Sequence, residues 1–158
     1  MHPTTLAISL SALLLLAAAP NSAEPKPATA PTPAAAATKE PDHITIQHVL
    51  IGFTGSVPGK NITRTQDEAK KLAEEILARA KKGEDFDGLV KQYTDDAAPG
   101  IYSMSNKGVA PSEGEYPRDR MVAAFGDAGF PLQIGEFGMA PYDKAKSPYG
   151  WHIVKRLK

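Results

Sequence analysis

The sequence of 158 residues contains no cysteine and carries no net charge, since 18 Lys and Arg balance 18 Asp and Glu. Without cysteine, disulfide bridges, thiolate metal sites and cysteine nucleophiles are all excluded. Without net charge, the chain has no dominant electrostatic attraction to a nucleic acid or to an anionic membrane surface. These two absences direct attention to functions that need neither thiol chemistry nor a strongly charged surface.

One apolar run, residues 6–19, is too short to span the ~30 Å core of a bilayer comfortably as a helix. It has the character of a secretory signal peptide, with small residues and a plausible cleavage point after Ala23, although no Lys or Arg precedes it. We therefore expect residues 1–23 to be a signal peptide and the protein to be exported, either periplasmic or extracellular. An uncleaved segment that anchors the protein in a membrane is the alternative.

Residues 24–41, EPKPATAPTPAAAATKEP, are rich in proline and alanine and contain no large apolar side chain. Such a segment cannot offset its ordering entropy by burial, so we predict an extended linker. Residues 42–158 then form the folded part, which has the size of one ordinary domain.

The folded part begins with the alternating pattern ITIQHVLIGF, which predicts a β-strand over residues 44–53. Alternation places His48 on the same face as Ile44, Ile46 and Leu50, which is a face that a strand normally gives to its core. The position of this titratable ring is the first sign of a functional site.

Helical and strand patterns follow this first strand along the chain. Thr65 and Glu68 have the spacing of a capping box, and the apolar period after them predicts a helix that ends near Gly83. Further elements are predicted in this order: a helix within 85–94, a strand at 101–105, a short helix displaying Met121, Val122 and Phe125, and strands within 136–142 and 149–157. The pattern predicts an α+β fold with a small, mainly antiparallel, four-stranded sheet surrounded by helices.

Two of the four histidines, His48 and His152, lie in predicted strands among apolar neighbours. If these strands are adjacent, one ring can donate a hydrogen bond to the other. A zinc site would need a third ligand such as Asp95 or Asp96, and no HExxH spacing is present. A phosphate loop at TGSVPGKN has the wrong glycine spacing, and a serine hydrolase would lack its G-x-S-x-G turn. Two core histidines with satisfied hydrogen bonds remain the simplest alternative.

Several segments together resemble the parvulin family of peptidyl-prolyl cis-trans isomerases. These segments are IQHVLIGF, AKKGEDFDGLVKQYTDD, MVAAFGDAGFPLQIGEFG and SPYGWHIVKRL, in the order in which the family has them. The resemblance spans about Ile44 to Leu157 and implies a parvulin-like domain over 42–158. Two departures are PGIYSMS, where the family has a glycine-rich strand, and the longer connection NKGVAPSEGEYPRD.

The resemblance also implies which residues form the site. The catalytic residues would be His48, His152, Asp96 and Ser147, with Asp95 as a solvated neighbour. The substrate proline would be bound by Met121, Val122, Phe125 and Phe130, and by Tyr102, which occupies a position where a leucine usually lines the pocket.

The implied function is isomerisation of Xaa-Pro bonds in proline-containing or unfolded exported polypeptides, without a metal or another cofactor. We expect a monomer that binds neither nucleic acid nor a membrane beyond the signal segment. Lys60 and Arg64 form no clear basic cluster and are interpreted as a solvated loop, so no preference for phosphorylated substrates is predicted. The alternative is a catalytically weak chaperone or peptide-binding module that uses the same groove.

Overall fold

The computed structural model describes residues 39–158. Five strands, three α-helices and one 3₁₀ turn make up this part of the chain. In chain order they are β1 (His43–Ile51), α1 (Gln66–Lys81), α2 (Phe86–Tyr93), β2 (Ile101–Ser105), β3 (Tyr116–Pro117), the 3₁₀ turn (Arg118–Arg120), α3 (Ala123–Gly129), β4 (Phe137–Ala140) and β5 (Trp151–Arg156). None of the helices within 39–158 is long and apolar enough to cross a membrane.

The strands form one sheet in the order β3-β2-β1-β5-β4, with β1 at its centre. All neighbours are antiparallel except β2 and β3, which pair in parallel over two residues. The α+β, mainly antiparallel fold is therefore confirmed. The sheet has five strands rather than the four predicted, because the long connection after β2 adds Tyr116 and Pro117 to its edge.

Apolar side chains cover both faces of the sheet. On one face, α1 and α2 pack over Val49, Ile51 and Ile153. On the other, α3 and the residues around it pack over Ile44 and Ile46. The alternation of β1 thus supplies two cores, and His48 belongs to the face covered by α3, where its ring contacts Phe125 at 4.6 Å between centroids.

Helix α1 begins at the predicted capping box. The Thr65 hydroxyl accepts from the Glu68 backbone N–H, and the Glu68 carboxylate accepts from the Thr65 N–H. Both groups satisfy donors that a helix start otherwise leaves unpaired. The buried residues Ala69, Ala73 and Ile76 then fix the helix on the sheet.

Two residues that the sequence assigns to the linker, Glu40 and Pro41, contact the domain. Glu40 bonds the buried Arg118 at 2.7 Å, and the Pro41 carbonyl accepts from the Asn106 side chain at 3.0 Å. Arg118 also pairs with Asp127 and lies 4.6 Å from the ring centre of Phe130. The last residues of the predicted 24–41 linker are therefore fastened to the domain, whereas the predicted signal peptide at 1–23 and the rest of the linker lie outside the described residues.

Candidate active site

An open cleft of about 300 Å³ lies above the centre of the sheet on the α3 face. Its floor is formed by β1, β2 and β5, and its walls by α3 and the loop between β1 and α1. The lining residues are His48, Leu50, Val57, Pro58, Asp96, Tyr102, Met121, Val122, Phe125, Tyr149 and His152. Most of the lining is apolar, and the polar groups are concentrated at one side of the floor.

The two strand histidines meet on this floor. Strands β1 and β5 pair with Leu50 opposite His152, so His48 and His152 lie diagonally on one face. Their Nδ1 atoms are 3.2 Å apart, and both rings are almost fully buried. The juxtaposition expected from adjacent strands is therefore present.

Asp96 lies on the other side of His48 and extends the pair into a chain of three groups. Its Oδ2 is 3.1 Å from His48 Nε2, while His48 is inaccessible to solvent and the Asp96 side chain is 37% exposed. Asp96 therefore connects the buried pair to the cleft. The Thr94 hydroxyl oxygen accepts from the backbone N–H groups of both Leu50 and Asp96, which holds this loop against β1.

Hydrogen bonding and burial fix the protonation of this chain. The hydrogen bond from His48 is the main reason why the pKa of Asp96 lies far below its ordinary value, so Asp96 is anionic. Burial, with a smaller contribution from His48, lowers the pKa of His152 to about 3, so His152 is neutral. When His48 donates its Nε2–H to Asp96, its Nδ1 accepts the Nδ1–H of His152. The Nε2 of His152, which has no partner within residues 39–158, is then a bare lone pair rather than an orphaned N–H.

Tyr102 adds a second donor to the same carboxylate. Its hydroxyl lies 3.1 Å from Asp96 Oδ2, the oxygen that also receives His48 Nε2–H. Burial, together with the negative charge of Asp96, raises the pKa of Tyr102 to about 12, so the phenol keeps its proton. The sequence predicts Tyr102 only as a wall residue, because nothing in its strand pattern indicates where the hydroxyl points.

Asp95 is not the solvated neighbour that the sequence predicts. Its carboxylate is 14% exposed, forms an ion pair with Arg64, and accepts from the Gly52 N–H at 2.8 Å. Arg64 in turn donates to the Gly52 carbonyl, so it is part of a clamp rather than of a solvated loop. The clamp joins the end of β1 to the segment that carries Asp96.

A glycine is required where β2 begins beside the site. The backbone N–H of His48 donates to the Gly100 carbonyl at 2.9 Å, and Gly100 has φ of +64°. A Cβ added at Gly100 would lie 2.6 Å from the His48 carbonyl oxygen. Only glycine combines this left-handed backbone with so close an approach.

The apolar wall of the cleft is formed by Met121, Val122 and Phe125. Their contact with substrate stays a prediction. Their local structure differs from the single short helix predicted. The 3₁₀ turn ends at Arg120, and the backbone of Met121 after it is extended. Val122 immediately precedes α3, and no side chain caps the start of this helix. The wall is thus an extended pair of residues followed by the first turn of α3.

Two predicted site residues have other places. Phe130 is 1% exposed and packs in the core under Arg118, and it is absent from the cleft lining. Ser147 donates its hydroxyl to the Gly150 carbonyl at 2.8 Å and closes the turn before β5. Its hydroxyl therefore stabilises the turn that leads into β5, and within residues 39–158 it has no hydrogen bond to either histidine.

The sequence reasoning missed the cleft wall formed by the loop after β1. Val57 and Pro58 line the cleft together with Tyr149, and the Ser56 hydroxyl donates to the Tyr149 carbonyl at 2.8 Å. The Pro-Gly pair in TGSVPGKN predicts a loop, but it does not indicate where the neighbouring side chains point.

Comparisons with known proteins agree with this geometry. The family described as the PPIC-type PPIase domain matches residues 33–158. The foldase protein PrsA of Caldanaerobacter subterraneus subsp. tengcongensis is 40% identical over 86 residues, which are 54% of this chain and 24% of the relative. The chaperone SurA of Pseudomonas fluorescens is 30% identical over 116 residues, which are 73% of this chain and 23% of the relative. This chain thus spans about a quarter of the length of these relatives.

A likeness in fold extends to a solved protein. The solution structure of TbPIN1 aligns with a TM-score of 0.55 and 24% identity, covering 74% of this chain and 98% of that one. The likeness concerns the fold, whereas the family match covers all of the described part. On the strength of that match, the chain belongs to the PPIC-type, or parvulin, family of peptidyl-prolyl cis-trans isomerases.

Proposed function

We propose that this domain catalyses cis-trans isomerisation of Xaa-Pro bonds in exported polypeptides and so assists their folding. The observation that carries the proposal is an apolar cleft with an anionic carboxylate, Asp96, at the edge of its floor. Such a cleft suits a substrate with an apolar ring on one side of an amide and a polar carbonyl on the other. Proline in a polypeptide has these features.

The apolar wall supplies one part of the rate enhancement. Rotation about the bond faces a barrier of about 18–20 kcal/mol because the planar amide is stabilised by resonance. The twisted amide is less polar than the planar one, so an apolar cleft binds it preferentially. Each ~1.4 kcal/mol of this preference accelerates rotation about tenfold. Met121, Val122 and Phe125 would hold the proline ring while the preceding carbonyl turns.

Asp96 would supply a second part through its charge. The carbonyl oxygen of a planar amide is partly negative, and it loses negative charge as resonance is broken. A carboxylate near that oxygen therefore repels the planar state more than the twisted one. His48 and His152 keep Asp96 in place and anionic, because the bonded pair cannot turn away without leaving buried polar groups unpaired.

Export is the second element of the proposal and depends on residues 1–23, which have the pattern of a signal peptide. Outside the cytoplasm, newly arrived chains still fold at rates limited by proline isomerisation, which takes 10–100 s without a catalyst. An isomerase would shorten this step. A chaperone that only binds the same segments is the second candidate, favoured by the departure PGIYSMS, which places Tyr102 in the cleft lining.

Catalysis of proline-limited refolding tests the proposal. A small substrate protein whose slow phase is a proline isomerisation is refolded with increasing amounts of the full chain, of an Asp96→Ala variant, or of an Asp119→Ala variant. Asp119 is an exposed residue outside the cleft and serves as the matched control. The rate of the slow phase should rise in proportion to the concentration of the wild type or of Asp119→Ala. It should rise much less with Asp96→Ala. A slow phase that only loses amplitude or slows down would instead identify a chaperone that holds its substrate.

A further inference from the structure

We propose that the Tyr102 hydroxyl positions the Asp96 carboxylate, so that Tyr102 is a positioning residue in addition to a wall of the cleft. The role rests on the isomerase function proposed above. It is carried by a hydrogen bond that no strand pattern predicts, from Tyr102 Oη to Asp96 Oδ2 at 3.1 Å.

The Tyr102 ring is held firmly enough to deliver this bond. Its backbone pairs with Ile46 in the register between β1 and β2. Its ring meets the rings of His48 and Phe125 edge to face, with centroids 5.5 Å and 5.8 Å apart. Contacts on two sides leave the ring little freedom, so the hydroxyl has a defined direction.

Asp96 needs such a partner because of where it lies. It belongs to the irregular segment between α2 and β2, so no regular element fixes its side chain. Without Tyr102, the carboxylate would be held by the His48 hydrogen bond and by a backbone hydrogen bond from its neighbour Ala97. A further side-chain donor on the same oxygen, from a different strand, limits its rotation and directs the rest of the carboxylate to the cleft.

The hydroxyl and the ring of Tyr102 have separable roles. An apolar side chain at position 102 could line the cleft, but it could not donate a hydrogen bond. Phenylalanine keeps the ring contacts with His48 and Phe125 and removes only the donor. Leucine removes both.

The titratable groups around Asp96 define the expected pH effect. His48 on β1 bonds Asp96, His152 on β5 bonds His48, and Tyr116 on β3 lies 6.2 Å from the Tyr102 ring between centroids. Asp95, next to Asp96, is paired with Arg64. A donated hydrogen bond favours the charged carboxylate, so loss of the Tyr102 donor raises the pKa of Asp96.

The experiment compares the full chain with Tyr102→Phe, Tyr102→Leu and Tyr116→Phe variants. Tyr116→Phe removes a hydroxyl from the neighbouring tyrosine, which is half exposed and lies outside the cleft lining. Three quantities are measured for each protein: kcat and KM for an Xaa-Pro peptide by exchange NMR, and the titration midpoint of the Asp96 carboxyl carbon by ¹³C NMR without substrate. Amide spectra confirm that each variant is folded.

For Tyr102→Phe we expect kcat to fall about three- to tenfold, the loss typical of one hydrogen bond, with KM little changed. The Asp96 midpoint should move to higher pH. Tyr102→Leu should also raise KM, and Tyr116→Phe should match the wild type in all three quantities.

A folded Tyr102→Phe variant with the wild-type kcat and the wild-type Asp96 midpoint would overturn the proposal. A fall in kcat without a shift of the midpoint would also overturn it, because the ring would then act in some other way. If the wild type itself does not isomerise the peptide, the isomerase function fails, whereas the carboxyl titration still decides whether Tyr102 holds Asp96.

Discussion

His48 and His152 contact each other through their Nδ1 atoms, 3.2 Å apart, on the adjacent strands β1 and β5. Neither ring has appreciable solvent exposure, and only His48 reaches a carboxylate. The pair therefore acts as a buried support beneath Asp96, and its protonation is coupled to folding.

The free energy of unfolding should depend on pH through the protonation of His152. Its pKa is about 3 in the folded protein, mainly through burial, and about 6.5 in an unfolded chain. The unfolded state therefore binds the proton first, and stability is lost as the pH falls from about 6.5 towards 3. The contribution to the slope is at most about 1.4 kcal/mol per pH unit.

Urea unfolding between pH 7 and pH 4.5 measures this slope for the wild type and for His152→Gln. The window lies above the ordinary pKa of Asp96, whose lowered pKa gives stability that is lost only below about pH 4. The variant should be less stable at pH 7 and show a flatter profile. A variant with the wild-type slope would contradict the assignment of a neutral, buried His152.

Substitution of the adjacent carboxylates should affect different properties: stability for Asp95 and activity for Asp96. Asp95→Ala leaves Arg64 and the Gly52 N–H without their partner, so we expect a loss of about 2 kcal/mol in the free energy of unfolding. Asp96→Ala should instead reduce kcat at least about tenfold, because the charge at the cleft is lost. Denaturant unfolding and peptide exchange on both variants separate the two effects. The distinction would be refuted if both variants were destabilised to the same extent and lost kcat to the same extent.

Substitutions of Met121 and Phe130 should also differ in their effects on stability and KM, although the sequence predicts both residues as substrate contacts. Phe130→Ala removes a ring that is 1% exposed and should lower the free energy of unfolding by about 3–5 kcal/mol. Met121→Ala removes part of the cleft wall and should raise KM with a much smaller change in stability. If Phe130→Ala were stable and impaired only in KM, Phe130 would belong to the cleft after all.

The contact between Glu40 and Arg118 predicts that the domain depends on residues before Asp42. Glu40→Ala should cost about 1 kcal/mol of unfolding free energy, since it removes one partner of a buried guanidinium while Asp127 and Asn106 remain. The side chain of Glu40 is itself 38% exposed, which keeps the effect modest. Glu113→Ala, an exposed glutamate in the connection after β2, is the control. Equal stability of the two variants would show that the contact contributes nothing.

The features that depend on regular patterns could be predicted from the sequence. Alternation places His48 on the face of Ile44 and Ile46, and the strand at Ile101–Ser105 and the capping box of α1 are found where they are predicted. These features follow from side-chain period and from local capping chemistry, both of which the sequence displays directly.

The features that depend on irregular backbone could not be predicted. The bond from Tyr102 to Asp96 joins a strand to a loop over a separation of 6 residues, and the ion pair of Asp95 with Arg64 joins two loops over 31 residues. No period in the sequence specifies either contact. Arg118 escaped notice because a lone arginine normally indicates an exposed side chain. Its burial depends on Gly126, where a Cβ would lie 2.4 Å from the Arg118 Nε.

The most direct test of the central claim is two-dimensional exchange NMR on a short Ala-Pro peptide with a catalytic amount of the full chain. Cross-peaks between the cis and trans resonances should appear at mixing times of about a second, far shorter than the 10–100 s of uncatalysed isomerisation. They should weaken strongly with folded Asp96→Ala and persist with Asp119→Ala. Broadened peptide resonances without cross-peaks would contradict the account, because the cleft would then bind proline peptides without catalysing their rotation.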